Sequence, residues 1–120
     1  MADSNEPLAN LIFLKEFSKG NIEIIDKYID IFIRNTPLLL ATLQKQIKQK
    51  DFPSVEITAH SLKAQFNFVG FTDGESCARK IKVMAQERKD SSEILTVFNS
   101  LNDLCETLYQ ELQLGNNLNK

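Results

Sequence analysis

The chain holds one histidine, His60, and two cysteines, Cys77 and Cys105. A neutral imidazole is the most versatile of these at physiological pH, because its free ring nitrogen serves as nucleophile, general base or metal ligand. A structural zinc needs about four such ligands. One histidine and two thiols without a Cys-x-x-Cys spacing fall short of that set. Both thiols lie on apolar helical stripes, Cys77 with Ala78, Ile81, Met84 and Ala85, and Cys105 with Leu101, Leu108 and Leu112. There a thiol is a packing group and not a nucleophile. No Gly-rich phosphate loop is present. The expected chemistry therefore converges on His60, with no cofactor and no metal of the chain's own.

The helix that carries His60 decides which way the imidazole points. With His60 at 0° on a wheel, Val55, Ala59, Leu62, Phe66 and Val69 cluster near about −145°, an inward stripe. His60 points away from it, into solvent. Lys63, Ala64 and Asn67 fall roughly within 60° of His60 and surround it one turn or two along the helix. Ile57 and Phe68, the two apolar residues off the inward stripe, form a greasy border on this open face. A solitary histidine on a solvated helix is ordinarily a surface residue, and spacing alone does not distinguish the two cases.

Composition bounds what surrounds that helix. At 120 residues the chain is one domain, and 42% apolar with 25% charged residues is the balance of a globular protein. Only four Gly and three Pro are present, which favours long helices over many short strands. The net charge of −2 argues against binding duplex DNA, whose phosphates demand a surplus of Lys and Arg. No apolar run is long enough to cross a membrane, and the segment Met1 to Pro7 has no signal pattern, so a cytosolic protein is expected.

Helical periodicity runs through every segment. Leu8, Leu11, Ile12 and Leu14 mark a short first helix over residues 8–17, stopped by Lys19-Gly20. Ile22, Ile25, Tyr28, Ile29 and Phe32 carry a second, and at Thr36-Pro37 it either kinks or restarts, with Thr36 as a cap, before Leu39, Leu40, Leu43 and Ile47. Pro53 opens the His60 helix and Gly70 closes it. Thr72 and Glu75 read as a capping box for a fourth helix, and Asp90 with Glu93 as a weaker start for a fifth. Ile94, Phe98, Leu101, Cys105, Leu108 and Leu112 form the last helix's inward seam, and Gly115 starts a polar tail. Short connections between such stripes predict an all-α, up-down antiparallel four-helix bundle with a short extra N-terminal helix. Its core spans about 8–113 and its tail 114–120. One bundle consumes the stripes, so a monomer is expected.

The string Ala59-His60-Ser61-Leu62-Lys63-Ala64-Gln65-Phe66-Asn67-Phe68-Val69-Gly70 resembles the His-x-Leu-Lys-Gly signature of histidine-containing phosphotransfer (HPt) domains, including the later Val-Gly. The likeness covers roughly Leu8 to Leu112. It implies a carrier without its own turnover or ATP site, which takes a phosphoryl group from a receiver-domain aspartate and passes it to another receiver in a phosphorelay. Its partners would be receiver domains of a hybrid sensor kinase, a response regulator or both, and magnesium would belong to the receiver. His60 would be the phosphoacceptor, reacting as neutral imidazole, and Lys63 would bind the phosphoryl oxygens, an interaction of about 1 kcal/mol on an exposed face. Ala64 stands where the family usually has glycine; one added methyl leaves most of the clearance that a docking partner needs. Lys82 stands where relatives often carry a glutamine or an acid, with Arg79 and Gln86 one turn to either side. With Ile57, Asn67 and Phe68 these residues are the expected docking surface, and the basic ones complement an acidic receiver pocket. A scaffold that binds a receiver without being phosphorylated is the alternative.

Overall fold

Five α-helices follow one another in the computed structural model, which describes residues 7–118: α1 Ile12–Phe17, α2 Ile22–Lys48, α3 Phe52–Phe68, α4 Thr72–Gln86 and α5 Ser91–Leu118. The helical class expected from periodicity is the class adopted, and no strand occurs among the described residues. Residues 1–6, read above for a signal pattern, and the last two residues of the polar tail lie outside them. No helix among the described residues is long and apolar enough to cross a membrane.

Helices α2 to α5 close a ring of contacts, α3 packing on α2 and α4, and α5 on α4 and α2. Their inward stripes merge into one core with Ile29, Phe32 and Leu43 of α2, Val55, Leu62 and Phe66 of α3, Ile81 of α4, and Ile94, Leu101 and Leu108 of α5. Each such fully buried side chain contributes roughly 1.5–3 kcal/mol relative to exposure. The whole α5 seam from Ile94 to Leu112 is buried as its spacing predicts.

Pro37 does not end α2, which runs unbroken for 27 residues. Thr36 is consequently no cap: it is fully buried in mid-helix, and its hydroxyl has no partner among the described residues. Proline in a helix interior costs about 3 kcal/mol. Burial of Phe32, Leu40, Leu43 and Ile47 on either side of Pro37 outweighs that cost, and Pro37 itself lies on the exposed side.

Helix starts follow their side-chain signals with two exceptions. The Asn21 side chain accepts from the Glu23 and Ile24 amides, Asp51 from the Ser54 amide, and Asp90 from the Ser92 amide at 3.0 Å. The Thr72 and Glu75 capping box does not form, because α4 begins with Phe71 as its N-cap and no side-chain bond there. The preceding turn explains the shift. Gly70, at φ +65°, sends its amide to the Asn67 carbonyl while Phe71 sends its own to Phe66, a left-handed helix stop that places Phe71 edge-on against Phe66. The helix α1 is also shorter than the expected 8–17, since the Leu8 and Ala9 amides bond to Glu111 of α5. At the other end, α5 continues past Gly115 to Leu118, so the tail begins as helix.

Candidate functional site

The helix α3 turns its stripe of Val55, Ala59, Leu62, Phe66 and Val69 fully inward, at 0–1% exposure, and this sends His60 outward. His60 is exposed, and its imidazole makes no hydrogen bond among the described residues. Of its neighbours on α3, Ile57, Ala64 and Asn67 are exposed, and Lys63 and Phe68 are half-buried.

Two unlike borders flank the imidazole. One is polar and faces α4. The Asn67 amide donates to the Glu75 carboxylate at 3.3 Å, which joins the two helices near their three-residue turn. Glu75, Arg79, Lys82 and Gln86 recur at four- and three-residue steps and lie roughly within 60° of one another on α4. A chain that reverses in three residues runs its two helices past each other in opposite senses. Seven residues back from Asn67 is His60, and seven forward from Glu75 is Lys82. Equal helical rise therefore brings Lys82 level with His60, and Arg79 level with Lys63. Among the described residues none of these three cations is in an ion pair. The expected site residues Lys63, Asn67, Arg79, Lys82 and Gln86 thus share one border.

The other border is apolar and faces α1 and α2. Ile57, 69% exposed, and Ala64 lead along α3 to Phe68, which does not stand free as an isolated greasy residue. Its ring packs edge-on against Phe13, Phe17 and Tyr28, with centroids 5.5, 5.8 and 5.3 Å away. Phe13 and Phe17 remain 50% and 54% exposed, so the cluster is a surface and not a core. Phe13, Phe17 and Glu75 join this face beyond the residues expected from the sequence, and Tyr28, on the apolar stripe of α2, is half-buried against the core while its ring also joins the cluster. Phe13 and Phe17 fall outside the periodic set of Leu8, Leu11, Ile12 and Leu14, but Ile12 of that set is 59% exposed, so the period of so short a helix does not report its buried side; the pairing of Glu75 with Asn67 depends on the turn.

Other chemistry is remote from this face. Cys105 is fully buried, and burial pushes its thiol up to about 12; burial also raises the half-buried Cys77. Neither is a nucleophile at neutral pH. No cluster of metal-binding side chains occurs among the described residues. A cavity of about 180 Å³ lies between α2 and α5, lined by Pro37, Leu40, Phe98 and Tyr109 among others, and includes no residue of the His60 face.

An exposed, unbonded imidazole with unpaired cations along one border suits an anion that a ring nitrogen can bond covalently, and a phosphoryl group meets both conditions. A family model described as Hpt domain matches residues 27–115, which contain α3, α4 and most of α2 and α5. No curated protein and no solved structure gives a match. With some three quarters of its length inside that match, the chain belongs to the Hpt domain family, phosphocarriers of two-component signalling that interact with receiver domains.

Proposed function

We propose that this chain carries a phosphoryl group on His60, taken from the aspartyl phosphate of one receiver domain and given to another. The observation that carries this reading is the exposed, unbonded imidazole between the cations Lys63, Arg79 and Lys82 and the apolar border of Ile57, Ala64 and Phe68. In the forward step the distal ring nitrogen gives its lone pair to phosphorus in line with the leaving aspartyl oxygen. The N–P bond forms, the O–P bond breaks, and its electron pair returns to the aspartate carboxylate. Lys63, on the same helix, meets the charge on the phosphoryl oxygens, and Lys82 adds to it from α4. Such contacts at a surface are worth about 0.2–1 kcal/mol each, enough to position and not enough to trap the group. Reversal onto a second receiver then remains accessible.

Magnesium belongs, in this reading, to the receiver's aspartate pocket, and the carrier brings only its nucleophile and the surface that orients it. The three- and four-residue connections and the ring of contacts from α2 to α5 support an up-down antiparallel four-helix bundle, with α1 as an added short helix. We expect it to act as a monomer in the cytoplasm.

The test is transfer from a labelled, phosphorylated receiver to wild type and to His60→Gln. One acid-labile, alkali-stable phosphoryl group per wild-type chain, none on His60→Gln and equal helicity in both supports the carrier. Binding without transfer would replace it with a scaffold that docks receivers unphosphorylated.

A further inference from the structure

The helix α1 is too short to hold itself in place. Six residues form fewer than two turns, below the length at which a helix persists in water. Yet α1 supplies Phe13 and Phe17, half of the aromatic cluster beside the His60 face. Its anchorage comes from outside. The Glu111 carboxylate of α5 accepts from two successive backbone amides, Leu8 at 2.7 Å through one oxygen and Ala9 at 3.0 Å through the other. The next amide, that of Asn10, donates to the Val69 carbonyl at 2.9 Å. Gly70 leaves room for this crossing, since a Cβ there would collide with the Asn10 carbonyl. Three consecutive amides are thus held by α5 and by the turn that ends the His60 helix. Two of the three depend on one carboxylate.

We propose that Glu111 is a positioning residue for phosphoryl transfer: it pins residues 8 and 9, seats α1, and so builds the aromatic edge against which a receiver domain docks. The inference rests on the carrier reading above. Glu111 lies on α5 and touches neither His60 nor its cations, so its effect reaches the reaction only through α1. The family match begins at residue 27, so α1 and the anchored amides lie outside it, whereas Glu111 and Val69, which hold those amides like a latch, lie inside it. The half-exposed rings of Phe13 and Phe17 continue the apolar border of Ile57, Ala64 and Phe68 away from His60. A receiver that docks on His60 would extend over this border, which is continuous with the His60 face and calls for an apolar surface on the partner.

The experiment separates seating of α1 from chemistry at His60. Amide exchange at Leu8 and Ala9 should quicken in Glu111→Ala, with core amides such as that of Leu62 unchanged. In single-turnover transfer the half-saturating concentration of phosphorylated receiver, KM, should rise about fivefold at unchanged limiting rate, as when an ordered segment of an interface must be ordered anew on binding. Phosphorylation by phosphoramidate, which needs no docking surface, should keep its wild-type rate. Glu111→Gln, which retains one acceptor oxygen, should fall between. In a Phe13→Ala, Phe17→Ala background, Glu111→Ala should raise KM no further. Unchanged KM in Glu111→Ala, or an equal rise in that background, overturns the inference while the carrier reading stands. A wild type that takes no phosphoryl group from receivers overturns both, and the exchange rates still decide whether the latch exists.

Discussion

The side-chain amide of Asn67 on α3 and the carboxylate of Glu75 on α4 meet at 3.3 Å across a three-residue turn, with His60 seven residues before the one and Lys82 seven residues after the other. Replacing that cation by an acid removes an attraction for the phosphoryl group and adds a repulsion. At a half-exposed site the two together amount to about 1 kcal/mol, or roughly fivefold in an equilibrium. Lys82→Glu should therefore lower the equilibrium share of phosphorylated carrier, measured against a fixed receiver, by about fivefold, with no change in helicity. An unchanged share would place Lys82 outside the electrostatic reach of His60.

Ala64 is exposed one turn beyond His60 on the same helix face, where a larger side chain projects into solvent and stands in the path of a partner. Ala64→Leu should slow receiver-dependent transfer by about tenfold or more, because misplacing the reacting atoms by an ångström is costly. Its melting temperature should stay at the wild-type value. A variant that transfers at full speed would show that docking leaves more clearance here than the helix face suggests.

What was legible in the sequence was whatever a single helix decides alone. The stripe from Val55 to Val69 has only one way to be buried, and it dictates the outward direction of His60 without reference to the rest of the chain. Where two signals competed, local chemistry lost to packing. Pro37 argued for a kink or a break, and the apolar residues on both sides carried α2 through it. Thr72 and Glu75 had capping-box spacing, but the turn at Gly70 made Phe71 the N-cap and left Glu75 to meet Asn67. The aromatic border was illegible for a different reason. Phe13, Phe17, Tyr28 and Phe68 come from three helices, and no local period reports that the segment before α1 bonds to Glu111, a residue about a hundred positions away.

Gly70 joins the site to that latch, and its substitution should be felt twice. At φ +65° any side chain is strained by roughly 1–2 kcal/mol, and the added Cβ also presses on the Asn10 carbonyl. Gly70→Ala should thus lower stability by about 2–3 kcal/mol, a fall in Tm on the order of 10 °C for a domain of this size. Gly20, also at positive φ, has nothing within 4 Å of its would-be Cβ, so Gly20→Ala should cost only the conformational part. Equal losses at the two positions in thermal melts would show that the Asn10 crossing adds nothing.

Cys105 gives the fold a weakness in alkali. Burial holds its thiol protonated up to about 12, against 9.0 for the free side chain, because the core cannot solvate a thiolate. Below pH 9 both the folded and the unfolded chain keep this proton, and the stability associated with it is fully present. Between pH 9 and 12 the unfolded chain releases the proton and the folded chain does not, so stability falls, by up to about 1.4 kcal/mol per pH unit for one group. Tyr109, whose phenol burial raises in the same direction, adds to the fall above pH 10. Denaturant titrations at pH 8, 10 and 11 should show this decline in wild type and a shallower one in Cys105→Ala, with the remainder due to Tyr109. Parallel declines in the two proteins would mean that the buried thiol is not the group that alkali discharges.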